Sequence, residues 1–163
     1  MAPEADEICR VVREEMNRTE LERVSETTAV AGAKECLAEL RSAGLRVGLL
    51  TRGSRRYALA ALHHAGLGFR FDATICRDDF SEDEAKPNGK AMVRMAGMLR
   101  LRPEDCVLVG DHAMDLSCAR SSSAGFIGVL SGTFRRDDWS RHGCEVVIES
   151  VEALPRLLLE QKS

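Results

Sequence analysis

The sequence predicts an α/β protein built on a doubly wound parallel sheet. Short apolar runs alternate with amphipathic helical stretches, an order that implies parallel strands joined by right-handed crossovers. The runs are too brief for helices, and turn residues bound them, as expected of fully buried strands. The chain has 163 residues, 44% of them hydrophobic. That length suffices for one packed core and is short for two.

Taken in order, residues 4–24 place Ile8, Val11, Val12 and Met16 near one face among many Glu and Arg, the spacing of an amphipathic surface helix. Residues 31–43 repeat the pattern with Cys36, Leu37 and Leu40 inward, and Gly44 is the expected C-cap. Leu45 to Leu50 reads as a buried strand between Gly44 and the Thr51-Arg52-Gly53 turn. Helix 54–65 then precedes a strand at Ala73–Cys76, helix 89–100 precedes strand Cys106–Val109, and helix 115–123 precedes strand Phe126–Leu130. The charges around Trp139 predict a surface turn or short helix, after which strand 145–148 leads to a last helix at 151–160.

Composition narrows the function classes. A count of 23 Lys plus Arg against 26 Asp plus Glu gives a net charge of −3, so no basic field for nucleic acid is expected. Six cysteines, at 9, 36, 76, 106, 118 and 144, form no CxxC pair, which predicts buried reduced thiols rather than a zinc site or a disulfide framework. No apolar run is long enough for a membrane span, and the acidic N-terminus does not resemble a signal peptide. A reducing, cytoplasmic setting is therefore expected, with no membrane partner.

Ligands of open α/β sheets bind beyond the carboxyl ends of the strands. Thr51 and Asp111 fall there on two predicted strands. In GDHAMD, Gly110 permits a tight turn, Asp111 follows at the strand mouth, and Asp115 lies four residues on near a helix start. Two readings stand: the carboxylates hold a hard divalent cation such as Mg²⁺, or they only cap the helix. Thr51 is either a ligand hydroxyl or a capping residue. Lys86, ahead of Pro87, is either a fixed cation facing an anion or a solvated loop lysine. Their order along one α/β pattern favours the functional readings.

This combination resembles the haloacid dehalogenase superfamily, in particular its phosphatase-like members with a helical cap. The resemblance covers about residues 29–163, including AGAKECLAEL, GLGFRFDATI and KPN. It implies that Thr51 is the hydroxyl that binds the phosphoryl oxygen and Lys86 the conserved-motif lysine. The anion cradle would then comprise Thr51, Arg52, Gly53 and Lys86. Asp111 would be a metal ligand, with Asp115 supporting the metal or the lysine. The cofactor implied is Mg²⁺, and the partner is a small phosphorylated molecule or an inorganic anion.

Departures from the family pattern are equally informative. Members attack with the first Asp of a DxDx[TV] motif on an early buried strand, whereas residues 1–30 hold only Asp6, in a helical stretch. Residues 1–28 instead resemble the last helix of a cap, with the α/β core at 29–163 lacking its usual first, central strand. The expected function is a truncated or degenerate relative of Mg²⁺-dependent phosphatases, inactive as this chain alone and weak in metal binding. The alternative is a non-catalytic module that binds an anion or a protein. With the central strand missing, strands 45–50 and 106–109 are expected to close up and pair directly; exposed edges would otherwise favour self-association.

Overall fold

The structure, a computed structural model, describes residues 3–160 other than positions 69 and 82. The ends of the two predicted spans, 1–2 and 161–163, and one position of the GLGFRFDATI stretch thus lie outside the described residues. Helix α1 (Pro3–Glu22) leads into α2 (Ala33–Ser42), β1 (Gly48–Leu50), α3 (Arg55–His64), β2 (Ala73–Ile75) and α4 (Lys90–Met98). There follow β3 (Val107–Gly110), α5 (Ala113–Ser122), β4 (Gly125–Val129), α6 (Arg136–Arg141), β5 (Val147–Ile148) and α7 (Leu154–Leu159).

Local chemistry sets several boundaries. Gly44 ends α2 with φ +80°, and Leu45 N–H reaches back to Leu40 O at 3.0 Å. That left-handed backbone is one that glycine adopts without Cβ strain. Ser54 opens α3, its hydroxyl accepting from Tyr57 N–H at 3.3 Å. The predicted run 45–50 shortens to a strand at 48–50, while Leu45 and Val47 pack into the core just before it.

All strand pairs are parallel, and helices lie on both faces. One cluster gathers Met92, Met95 and Ala96 of α4 with Ile75, Cys106 and Cys118. The other gathers Cys36 and Leu40 of α2 with Ile127 and with Leu154 of α7. The doubly wound parallel architecture therefore holds, but in two pieces. Strands β1 and β2 form one sheet and β3, β4 and β5 another.

The expected direct pairing of the strands at 45–50 and 106–109 does not occur. A shared helical layer explains the spacing. Helix α4 packs on β1 and β2 and also on α5, which in turn packs on β3 and β4. The Met95 sulfur lies so close to Gly48 that a Cβ there would sit 2.3 Å from it. Each sheet is thus held by its helices, and the edges do not collapse together. Thr51 N–H bonds Ile75 O across the β1–β2 pair at 3.0 Å. Because alternate residues of a parallel strand bond to opposite sides, the backbone groups of Gly48 and Leu50 turn toward the open edge. On β3, Cys106 O accepts from Gly125 N–H at 2.9 Å, which leaves Val107 and Val109 facing away from β4.

Two further departures concern side chains. Trp139 lies on the short helix α6 yet is 1% exposed, the largest fully buried side chain. Its indole N–H donates to Val129 O at 3.2 Å, and its ring packs against Phe126 and Phe134. His142, for which the sequence offers no partner, has its ring 5.1 Å from that of Phe134. Of the six cysteines, Cys36, Cys76, Cys106 and Cys118 are buried, while Cys9 is exposed. No helix among the described residues is long and apolar enough to cross a membrane.

Candidate functional site

The carboxyl ends of β1, β2 and β3 converge on one region. Leaving β1, the chain turns at Thr51, whose hydroxyl accepts from Gly53 N–H at 3.0 Å. Arg52 then donates to Lys86 O at 2.5 Å. Lys86 comes from the loop between β2 and α4, preceding a cis bond to Pro87. Its ammonium donates to Leu50 O at 3.1 Å and to Asp115 Oδ1 at 2.6 Å. The lysine therefore reaches from the open edge of β1 to the start of α5, spanning the gap between the sheets at their carboxyl ends.

Asp115 is held there by its own turn. Its Oδ2 accepts from His112 N–H at 3.2 Å, while His112 Nδ1 accepts from Met114 N–H at 3.2 Å. Gly110 makes room for this, since a Cβ at that position would meet the Asp115 side chain at 2.4 Å. Asp111 turns elsewhere. Its Oδ2 accepts from the Thr133 N–H and hydroxyl, both at 2.8 Å, in the loop after β4. Burial pushes the Asp111 carboxyl up, but the Thr133 hydrogen bonds outweigh this and hold it below the usual carboxylate range.

Of the sequence-predicted residues, Thr51, Arg52 and Lys86 line one narrow cleft, together with Arg77, Phe80 and Ser81. Asp115 is joined to it through the lysine. Gly53 contributes backbone only, its carbonyl accepting from Arg77 N–H at 3.0 Å. Asp111 does not line the cleft. No acidic side chain among the described residues lines it either.

Arg77 was not singled out by the sequence. It lies two residues past β2, one beyond the strand-end position that Thr51 and Asp111 occupy on their strands, and that nearness to the carboxyl end of the sheet is the signal that could have found it. Its guanidinium donates to Arg52 O at 3.0 Å and to the Glu20 carboxylate at 2.7 and 2.9 Å. Asn17 accepts from it as well, at 2.7 Å.

The donor set bears on the implied metal. Among the described residues no three His, Cys, Asp or Glu side chains gather as an ion would require. Asp111 offers a carboxylate already oriented by Thr133, and Asp115 is neutralised by Lys86. Both are oxygen donors of the kind a hard cation prefers, but each is already engaged by the protein and together they form no closed cage.

Residues 2–122 match the family model of the haloacid dehalogenase-like hydrolases. The chain belongs to that family. Among its relatives, a phosphoglycolate phosphatase of Nitrosospira multiformis is 28% identical over 138 residues, 85% of this chain and 59% of that protein. An N-acetylmuramic acid 6-phosphate phosphatase of Pseudomonas aeruginosa is 25% identical over 150 residues, 86% of this chain and 66% of that protein. The solved structure of a haloacid dehalogenase-like protein from Agrobacterium tumefaciens superposes with a TM-score of 0.76 at 21% identity, covering 87% of this chain and 65% of that one. At that identity the likeness speaks for the fold alone. The chain spans about three fifths of the length of the first of these phosphatases.

Proposed function

We propose that this haloacid dehalogenase-like chain carries the phosphate cradle and the metal side of a hydrolase site for small phosphorylated metabolites, and that alone it turns over phosphate esters poorly or not at all. The observation that carries this reading is Lys86, whose ammonium bridges Leu50 O and Asp115 while lining the same cleft as Thr51. A partly buried cation beside a strand-end hydroxyl suits a phosphoryl oxygen. Mg²⁺ would be held by Asp111, with Asp115 as helper, and when bound would neutralise charge on the phosphoryl group. Thr51 and the backbone of residues 52–54 would orient the anion. Lys86 would balance its charge.

Nucleophilic phosphoryl transfer also needs an attacking oxygen in line with the leaving group, which in the pattern of this family is an aspartate carboxylate. The cleft has none among the described residues. We read α1 as the last helix of a cap, and the open edges of β1 and β3 as the flanks of a missing central strand. Those edges favour concentration-dependent self-association. The second reading, a non-catalytic module that binds an anion or a protein partner, rests on the same edges and cleft. The free thiols suit a reducing, cytoplasmic compartment.

The test uses the full chain with small phosphate monoesters at millimolar Mg²⁺, alongside calorimetric titration with inorganic phosphate. The expected result is phosphate binding that weakens in Thr51→Val, with no ester turnover. Turnover that disappears in Asp111→Asn and passes through a phosphoenzyme would overturn the inactive reading. Failure to bind phosphate would overturn the cradle.

A further inference from the structure

Glu20 stands near the end of α1, but its carboxylate is turned inward, with a side-chain exposure of 23%. It accepts from both terminal nitrogens of Arg77 and from Ser54 N–H, the latter at 3.1 Å. Ser54 caps α3, so this carboxylate sits at a helix N-terminus, where amide donors and the helix dipole favour an anion. Arg77 is in turn fastened to the β1–α3 loop through Arg52 O and Gly53 O. Burial pushes the Glu20 carboxyl up, yet the hydrogen bonds from Arg77 and Ser54 outweigh it and keep the group below the ordinary carboxylate range.

The loop that the proposed cradle is built on therefore already holds an anion, supplied by the protein itself. Arg77 also lines the cleft with Thr51 and Lys86. Its Nε is buried and has no hydrogen-bond partner, so the guanidinium has donor capacity that Glu20 and Asn17 leave unused.

The helix that carries Glu20 is lightly anchored elsewhere. Ile8, Val11, Val12 and Met16 are 47–63% exposed, and the main contacts of α1 with other elements are with α3 and the turn at residues 24–26. The clasp of Glu20 and Asn17 on Arg77 is thus a principal tie between α1 and the loop.

We propose that Glu20 is an intramolecular competitor for an oxyanion at Ser54 N–H and Arg77, so that anion entry and docking of the C-terminal half of α1 oppose one another. A phosphate on the loop and the Glu20 carboxylate would be like charges at hydrogen-bond range around one guanidinium, and they repel. Arg77, released from Glu20, becomes an additional anion-binding residue beside Thr51 and Lys86. The inference rests on the reading of the cleft as an oxyanion site.

The experiment titrates inorganic phosphate into the full chain and into Glu20→Gln, Asn17→Ala and Thr51→Val, and follows hydrogen exchange of α1 amides with and without phosphate. Removing the competing charge in Glu20→Gln is expected to tighten phosphate binding roughly tenfold, the scale set by losing one charge-assisted clasp. Asn17→Ala, which loosens the same clasp without changing charge, should tighten it by a smaller factor. Phosphate should speed exchange across the second half of α1 in the unaltered chain. Equal or weaker binding by Glu20→Gln, with Thr51→Val still impaired, overturns the competition and leaves the cradle standing. Exchange in α1 that phosphate leaves unchanged overturns it too. Absence of phosphate binding in every protein overturns both.

Discussion

Replacing Lys86 with methionine removes the ammonium while keeping most of the aliphatic stem. The side chains of Lys86 and Asp115 are only 13% and 9% exposed, so the change strands a largely desolvated carboxylate and frees Leu50 O of its donor. Breaking a buried pair from one side costs about 3–5 kcal/mol, a large part of the roughly 5–15 kcal/mol by which domains are stable. With a urea dependence of about 2–3 kcal/mol/M, the unfolding midpoint should fall by roughly 1–2 M. Asp115→Asn keeps the acceptor for His112 N–H but loses the charge, and the double variant has neither charge to strand. The three variants therefore form a cycle, and a coupling of at least about 1.5 kcal/mol is expected between partners in direct contact. Urea unfolding followed by circular dichroism measures it. A loss below about 1 kcal/mol for Lys86→Met, or additive losses, would show that the pair behaves as a solvated surface bridge and would refute its role as a clamp between the sheets.

Other expectations follow from single sites. Trp139→Ala should cost about 3–5 kcal/mol by leaving a cavity, and Gly128→Ala about 1–3 kcal/mol by overpacking, because a Cβ there would sit 2.8 Å from the indole; thermal unfolding that barely moves in either variant would contradict this packing. Burial pushes Asp79 up, but the hydrogen bonds from Cys76 N–H and Arg55 outweigh it and hold the carboxyl below its ordinary value. Its folded pKa thus lies below the unfolded value of about 3.9, so its stabilisation is present above roughly pH 4 and is lost as pH falls through the folded value. Asp79→Asn should flatten the acid limb of the stability profile, and superimposable acid limbs would count against it. Calorimetry should find Mg²⁺ binding only at millimolar concentration and weaker still in Asp111→Asn; a tight site would mean that ligands beyond Asp111 and Asp115 contribute.

What the sequence revealed was mostly local. Alternating apolar runs gave the strands at 73–75, 107–110 and 125–129 to within a residue or two, because buried parallel strands have few other compositions. Thr51 and Lys86 were legible as chemistry from strand-end position and order, and the structure places both at one cleft. The clasp on Arg77 was not, since Glu20 lies 57 positions away and nothing in a helical Glu distinguishes a surface partner from an inward one. Trp139 was hidden for another reason. Charges crowd its neighbours in sequence, but on a short helix they can point outward while one aromatic turns in. The separation of the sheets is not legible in the strands themselves, because the packing of α4 and α5 decides the spacing.

The buried thiols divide between the two helical layers. Cys36 belongs to the cluster under α2 and α7, while Cys106 and Cys118 belong to the cluster under α4 and α5. Burial raises these three above the ordinary thiol range, as it does the fourth buried thiol, Cys76 at the end of β2, which belongs to neither cluster. A thiol reagent, which attacks the thiolate, therefore meets Cys36, Cys106 and Cys118 only when a layer lifts. Labelling rates at Cys36 against Cys106 and Cys118 then time the opening of each side independently, with exposed Cys9 as the internal clock for unhindered reaction. The chain carries, without any engineering, a chemical record of which face of its split sheet breathes first.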